Sequence, residues 1–104
     1  MGVNKKHIAI LGSTGSIGAQ ALAVIDVQKE LFEVEVLTAN SNSDLLIKQA
    51  KKFRPNVVVI TEQSKYEIVN AGLSDLGIKV YAGENAIAEV VEMESIDLLL
   101  TALV

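Results

Sequence analysis

Three glycines, Gly12, Gly15 and Gly18, are spaced three residues apart in the stretch ILGSTGSIGAQAL, residues 10–22. An apolar run precedes them, and a segment of helical period follows. Glycine has no Cβ and reaches positive φ, so this loop turns sharply and lets a phosphate approach bare backbone. A helix that begins near Ser16 aims its free N–H groups and the positive end of its dipole at that anion. The pattern predicts a phosphate site between a strand and a helix.

The spacing G-x-x-G-x-x-G differs from the usual dinucleotide fingerprint, G-x-G-x-x-G, because the second glycine is Gly15 and not residue 14. The turn is wider by one residue, but its chemistry is unchanged. Thr14 and Ser16 add hydroxyl donors, and Gly18 lets the helix lie close to the first strand. The alternative is that the glycines only form a tight strand-to-helix turn.

The end of the second strand reads LTANSNSD, with Asp44 as its first acid. A fold that prefers NAD places Asp or Glu about 20 residues beyond the glycines, on the ribose 2′-hydroxyl. A neutral, donor-rich loop accepts a 2′-phosphate that a carboxylate would repel, which favours NADP. No arginine stands in the loop, so the preference relies on Lys48 or on residues elsewhere. The alternative is a solvated turn, in which Asn and Ser are common.

Apolar stretches alternate with segments of helical period along the whole chain. This alternation predicts a Rossmann-like, doubly wound α/β domain, a parallel sheet of about five strands with helices on both faces. The predicted strands are 7–11, 33–38, 56–60, 78–82 and 97–104. VVVI and LLLTALV are apolar on both faces, as in sandwiched parallel strands. The apolar stripe predicted for the first helix contains Ile17, Ala21 and Ile25.

Other residues that could take part in catalysis or binding lie at places less suited to a ligand site. We interpret His7 as a strand-edge residue, and Glu33 and Glu35 as a solvated edge of the second strand. Asp97 precedes the last strand, at the end opposite the ligand crevice. Residues 101–104 end that strand, where a contact to a nicotinamide would form.

Composition excludes several classes of function. The 104 residues suffice for one domain, with no cysteine and one histidine, so thiolate and histidine-based metal sites are excluded. A formal net charge of −4 without a basic tract, and only two Tyr and two Phe, argue against nucleic acid. No apolar run reaches the roughly 18 residues of a membrane span, and no signal-peptide pattern is present. We expect a cytoplasmic protein with no membrane partner.

The string IAILGSTGSIGAQAL resembles the opening of the 1-deoxy-D-xylulose 5-phosphate reductoisomerases, the NADPH-dependent enzymes of the non-mevalonate isoprenoid pathway. The resemblance continues through FEVEVLTANSNSDLLIKQAKKFRPNVVVI, VYAGENAIAEV and IDLLLTALV, and so covers essentially the whole chain. It implies that residues 1–104 are the NADPH-binding domain of a longer protein. The apolar end of the chain, LLLTALV, agrees with this expectation.

The resemblance also implies which residues contact the cofactor. These are Thr14, Gly15, Ser16 and Ile17 at the pyrophosphate, and Asn40, Ser41 and Asn42 at the adenosine 2′-phosphate. Members of the family often have Gly-Lys-Asn in the second loop, so a lysine is missing here. The ligands of the divalent metal (Mg or Mn), the donors to the substrate phosphate and the lid would follow Val104. The chain therefore has no catalytic or metal-binding residue and should be inactive alone.

The complete enzyme, expected to be a homodimer, would rearrange 1-deoxy-D-xylulose 5-phosphate and reduce the product to 2-C-methyl-D-erythritol 4-phosphate, taking hydride from NADPH. Two alternatives stay open at the level of the sequence. One is a non-catalytic nucleotide-sensing domain, and the other is the cofactor domain of another NADP-dependent dehydrogenase. A reading frame that continues with a cluster of acids would favour the reductoisomerase.

Overall fold

The computed structural model describes residues 4–102 as one parallel sheet with helices packed on it. The elements in chain order are β1 (Lys6–Leu11), α1 (Ser16–Val27), β2 (Phe32–Ala39), α2 (Ser43–Phe53), β3 (Val57–Ile60), α3 (Tyr66–Leu73), β4 (Lys79–Ala82), α4 (Glu84–Val90) and β5 (Leu98–Thr101). The strand order is β4-β3-β2-β1-β5, and all four pairings are parallel. The predicted Rossmann-like class with five strands is confirmed.

Helices α1, α2 and α3 cover one face of the sheet, and α4 covers the other. Leu22, Leu46 and Val69, one from each of the first three helices, share a core with Ile10, whereas Val90 of α4 belongs to a separate core. Each step from β1 to β4 moves one strand in the same direction, so right-handed crossovers place three helices on one face. The return to β5 reverses that direction. The reversal opens a crevice at the carboxyl ends of β1 and β5.

Strands β3 and β5, whose sequences are apolar on both faces, have different surroundings. All four residues of β3 are buried, as the pattern predicts. Strand β5 has the same pattern but is an edge strand within residues 4–102, with Leu98 43% and Leu99 49% exposed. Residues 103 and 104, part of the predicted strand 97–104, lie outside the described residues.

A bulge interrupts the register of β2 against β1. Ile8 of β1 is paired with Val34 and Ala9 with Val36, so Glu35 is an extra residue in β2. The interpretation of Glu35 as part of a solvated edge is therefore wrong, because this side chain is only 3% exposed.

The apolar stripe predicted for α1 differs from the residues that this helix buries. Leu22 and Ile25 are buried as part of the core, but Ile17 is 58% exposed. Because α1 begins at Ser16, Ile17 lies in its first turn and faces away from the sheet. Ile17 is therefore not a core residue.

Candidate functional site

The loop after β1 is a tight turn held against β2. Gly12 has φ of +82°, which favours glycine, and its N–H donates to the hydroxyl of Thr38 at 3.0 Å. The N–H of Ser13 donates to the carbonyl oxygen of Thr38 at 2.8 Å. The N–H of Gly15 closes the turn on the carbonyl oxygen of Gly12 at 3.2 Å. The turn thus has a defined position at the carboxyl end of the sheet.

The N-terminus of α1 is left open by the protein. Its N-cap is Gly15, and no side chain caps the helix. The first helical hydrogen bond runs from Ala19 to Gly15 at 2.8 Å, so the N–H groups of Ser16 and Ile17 have no helical acceptor. The first turn of α1 has no acid, whereas Asp44, Glu67 and Glu84 stand in the first turns of α2, α3 and α4. This end of α1 is suited to an anion.

Gly15 and Gly18 have different structural roles. A Cβ on Gly15 would have only the carbonyl oxygen of Gly12 near it, at 3.6 Å, and would otherwise enter open space in front of the loop. A Cβ on Gly18 would overlap that same oxygen and lie 2.7 Å from the Cα of Ser13. Gly18 lets the helix contact the loop, and Gly15 keeps the space before the helix free. A side chain at residue 15 would occupy part of that space.

The predicted 2′-phosphate loop, residues 40–42, follows β2 on the same side of the sheet. All three side chains are exposed. Asn42 caps α2, since its Oδ1 accepts from the N–H of Leu45 at 3.3 Å. Asn40 accepts from Thr61 after β3, through its side-chain Oδ1 and its carbonyl oxygen. The Asn40 side-chain amide N–H groups have no acceptor within the described part of the chain, so they are available to a ligand.

Lys48, the other residue suggested for the 2′-phosphate, lies outside this loop. It is exposed and lines an open groove between α1 and α2, together with Ala19 and Leu45. An open cleft of about 440 Å³ is lined by Thr61 and Gly83 at the carboxyl ends of β3 and β4. Lys48 is thus grouped with the α1–α2 groove and not with the cleft at the carboxyl ends of β3 and β4.

A buried polar network behind the glycine loop was not predicted from the sequence. Ser13 is fully buried, and its hydroxyl donates to Oε1 of Gln49 at 2.8 Å. The Nε2 of Gln49 donates back to the carbonyl oxygen of Ser13 at 2.8 Å. The sequence carried one signal for it, since Gln49 interrupts the apolar positions Leu46, Ala50 and Phe53 of α2. This pair connects the glycine turn to α2, the helix that follows residues 40–42.

A second polar cluster lies at the opposite, amino end of the sheet. The carboxylate of Glu35 accepts from His7 Nδ1 at 2.9 Å, from Asn56 at 2.9 Å and from Ser95 at 3.1 Å. Asp97 accepts from the N–H of His7 at 2.8 Å. The interpretation of His7 and Asp97 as residues remote from the ligand crevice agrees with this location.

Hydrogen bonds and neighbouring charges shift the pKa values of His7 and Glu35 in this cluster. The hydrogen bond to Glu35 raises the pKa of His7 above 6.5, against a smaller opposing effect of burial, and the charges of Glu33, Glu35 and Asp97 add to the rise. Burial by itself raises the pKa of Glu35, but the hydrogen bonds from Asn56, His7 and Ser95 outweigh it and hold that pKa below 4.5. These residues join the amino ends of four strands.

The carboxyl end of β5 lies beside β1. Thr101 is paired with Leu11, and the N–H of Ala102 donates to the carbonyl oxygen of Leu11 at 2.8 Å. Residues 103 and 104 of the predicted nicotinamide contact lie outside the described residues. Within residues 4–102, no group of three acids or histidines is arranged to hold a metal ion. No helix in this range is long and apolar enough to cross a membrane.

The parallel sheet and the reversal beside β1 define a Rossmann-type α/β domain, with the uncapped N-terminus of α1 after its first strand. The family model for 1-deoxy-D-xylulose 5-phosphate reductoisomerase matches residues 8–104. The chain belongs to the 1-deoxy-D-xylulose 5-phosphate reductoisomerase family.

Curated relatives of the same name agree with this assignment. The protein from Bacteroides fragilis is 57% identical over 102 residues, which are 98% of this chain and 26% of the relative. The protein from Porphyromonas gingivalis is 53% identical over 100 residues, 96% of this chain and 26% of the relative. The chain thus spans about a quarter of the length of these relatives.

Solved structures of this family have the same fold. The enzyme from Zymomonas mobilis in complex with NADPH superposes with a TM-score of 0.83 at 31% identity, over 86% of this chain and 24% of that one. A reductoisomerase in complex with NADPH, fosmidomycin and magnesium gives a TM-score of 0.87 at 28% identity, over 94% of this chain and 24% of that one.

Proposed function

We propose that residues 1–104 are the NADPH-binding domain of a 1-deoxy-D-xylulose 5-phosphate reductoisomerase. The observation that carries the proposal is the open N-terminus of α1, which is uncapped, free of acids and preceded by the glycine turn. Membership of the family supports it, as does the likeness to two reductoisomerases solved with NADPH. The family match favours this function over a nucleotide sensor or another dehydrogenase.

The residues present fit a dinucleotide phosphate. The free N–H groups of Thr14, Ser16 and Ile17 are donors for pyrophosphate oxygens, with hydroxyls on Thr14 and Ser16 beside them. A Cβ on Gly15 would have only the carbonyl oxygen of Gly12 within 4 Å, so the space beside this residue is open. In this proposal the chain binds and orients the cofactor, whose own chemistry is to supply a hydride.

The loop formed by Asn40, Ser41 and Asn42 selects the 2′-phosphate in this proposal. It offers amide and hydroxyl donors and has no carboxylate. Asp44 is the nearest acid along the chain and stands in the first turn of α2. Because no lysine or arginine stands in the loop, selectivity rests on neutral donors, which form weaker hydrogen bonds to phosphate than charged ones. We expect a moderate preference for NADPH.

The remaining activity belongs to the complete protein. We propose that it converts 1-deoxy-D-xylulose 5-phosphate to 2-C-methyl-D-erythritol 4-phosphate, as a homodimer in the cytoplasm, where NADPH and sugar phosphates are available. The ligands of a divalent metal would come from the part of the relatives that this chain does not span. One solved relative in complex with magnesium supports that assignment.

Titration with NADPH and NADH tests the cofactor assignment. We expect the nicotinamide fluorescence of NADPH to change at lower concentrations than that of NADH. Equal affinity for the two would contradict the role given to residues 40–42, and no binding of either would contradict the function. Loss of NADPH absorbance on addition of 1-deoxy-D-xylulose 5-phosphate to the complete protein tests the reaction.

A further inference from the structure

We propose that Gln49 is a positioning residue, which orients the Ser13–Thr14 peptide so that the Thr14 N–H faces the pyrophosphate. The inference rests on the proposed function, and it adds a residue that lies outside the two loops proposed to contact the cofactor. Gln49 lies on α2, is only 8% exposed and makes its side-chain hydrogen bonds to Ser13.

The geometry at Ser13 is a two-point contact. Its hydroxyl donates to Gln49 Oε1 and its carbonyl oxygen accepts from Gln49 Nε2, both at 2.8 Å. The hydroxyl has a second acceptor, the carbonyl oxygen of Thr38 at 3.2 Å. The carbonyl oxygen of Ser13 has no other protein donor among the described residues. Gln49 is therefore the group that holds this oxygen in the interior.

The orientation of one carbonyl decides the orientation of the next amide. A trans peptide is planar, so the N–H of Thr14 points opposite to the carbonyl of Ser13. With that carbonyl turned inward to Gln49, the Thr14 N–H points outward, and no protein group within residues 4–102 accepts from it. A flipped peptide would instead present a carbonyl oxygen, which repels an anion. Gln49 thus favours the donor orientation before the cofactor arrives.

The same residue connects the two halves of the site. Its helix, α2, is capped at the N-terminus by Asn42 of the 2′-phosphate loop, and its side chain holds the pyrophosphate loop. Two ligands test the two loops separately. 2′-AMP carries the 2′-phosphate and no pyrophosphate, whereas NADPH carries both.

The experiment measures dissociation constants of Gln49→Met for NADPH and for 2′-AMP. Methionine keeps the length of the side chain without its hydrogen bonds. We expect the constant for NADPH to rise by about tenfold, as for one lost hydrogen bond that leaves a buried acceptor, and that for 2′-AMP to stay within about twofold. Lys51→Met, an exposed change on the same helix, is the control and should bind both ligands like the wild type.

Two results would overturn the inference while the proposed function stands. One is a folded Gln49→Met protein that binds NADPH like the wild type. The other is an equal loss for both ligands, which indicates general damage to α2. A wild-type protein that binds no NADPH would overturn the proposed function itself, and this inference with it.

Gln49→Glu gives an independent readout and replaces Gln49→Met if that variant fails to fold. A carboxylate accepts from the Ser13 hydroxyl but cannot donate to the Ser13 carbonyl, whereas a protonated carboxyl can do both. Burial at this position raises the pKa of the introduced carboxyl above its ordinary value, so we expect the affinity for NADPH relative to the wild type to recover as the pH falls from about 8 to about 5. A pH-independent ratio would contradict the role of the donated hydrogen bond.

Discussion

A Cβ atom on Gly18 would lie 2.7 Å from the Cα of Ser13, closer than two such carbon atoms approach in proteins. Helix α1 and the glycine turn are therefore in direct backbone contact. This contact fixes where the free N–H groups of Ser16 and Ile17 point relative to the turn.

Gly18→Ala should destabilise the domain. The added methyl group also overlaps the carbonyl oxygen of Gly12, so the helix must shift, at a cost of about 1–3 kcal/mol for overpacking. Urea unfolding measures the change. Gly15→Ala is the matched control, since its Cβ has only one neighbour, at 3.6 Å, and should leave the free energy of unfolding nearly unchanged. Equal stability of the two variants would show that the close contact at Gly18 does not matter.

Gly15→Val should abolish NADPH binding in a protein that stays folded. Gly15 has φ of −74° and ψ of 171°, extended values that valine adopts without strain. The branched side chain would occupy the space in front of the free N–H groups of α1. Fluorescence titration with NADPH and a circular dichroism melting curve measure the two effects. Retained affinity would mean that the pyrophosphate binds elsewhere.

Asn42→Asp should change cofactor choice without loss of stability. Aspartate caps a helix as well as asparagine does, and its charge is favourable at the N-terminus of α2. The same charge repels a 2′-phosphate, so we expect NADPH to bind about tenfold more weakly at low salt, with NADH less affected. Asn42→Ala separates the two roles, because it loses the cap, at about 1 kcal/mol, and adds no charge. An unchanged ratio of NADPH to NADH affinity in Asn42→Asp would contradict the location of the 2′-phosphate.

The His7–Glu35 pair should make stability depend on pH in two directions. The pKa of Glu35 is lowered in the folded state, so its contribution is present above 4.5 and is lost as the pH falls below that value. The pKa of His7 is raised, so its contribution is present below 6.5 and is lost as the pH rises through the higher folded value. Stability should therefore be greatest between these two pH values.

Urea unfolding as a function of pH measures this dependence, and Glu35→Gln is the informative variant. Glutamine keeps the size of the side chain but removes the charge that faces His7. We expect both the acid and the alkaline slopes to become flatter. Unchanged slopes would show that the His7–Glu35 pair does not cause the pH dependence.

Local sequence patterns were sufficient to predict most of the fold. The apolar run VVVI predicted a buried strand, and the glycine spacing predicted the turn before α1, because both depend on residues close together in the chain. The roles of Glu35 and Gln49 could not be predicted in the same way. Glu35 is buried because β2 lies between β1 and β3 and because His7, Asn56 and Ser95 pack around its carboxylate, and Gln49 is buried because α2 packs behind the glycine turn.

The sequence by itself determined the class of fold, the position of the glycine loop and the neutral character of the loop at residues 40–42. These follow from side-chain type and period, which act over a few residues. Only the tertiary structure decided that Ser13 and Gln49, 36 residues apart, form a buried pair, and that Ile17 is exposed. Partners so distant in the chain meet only when the sheet has formed. Strand register and helix packing, and not local propensity, determine which buried polar groups form hydrogen bonds with one another.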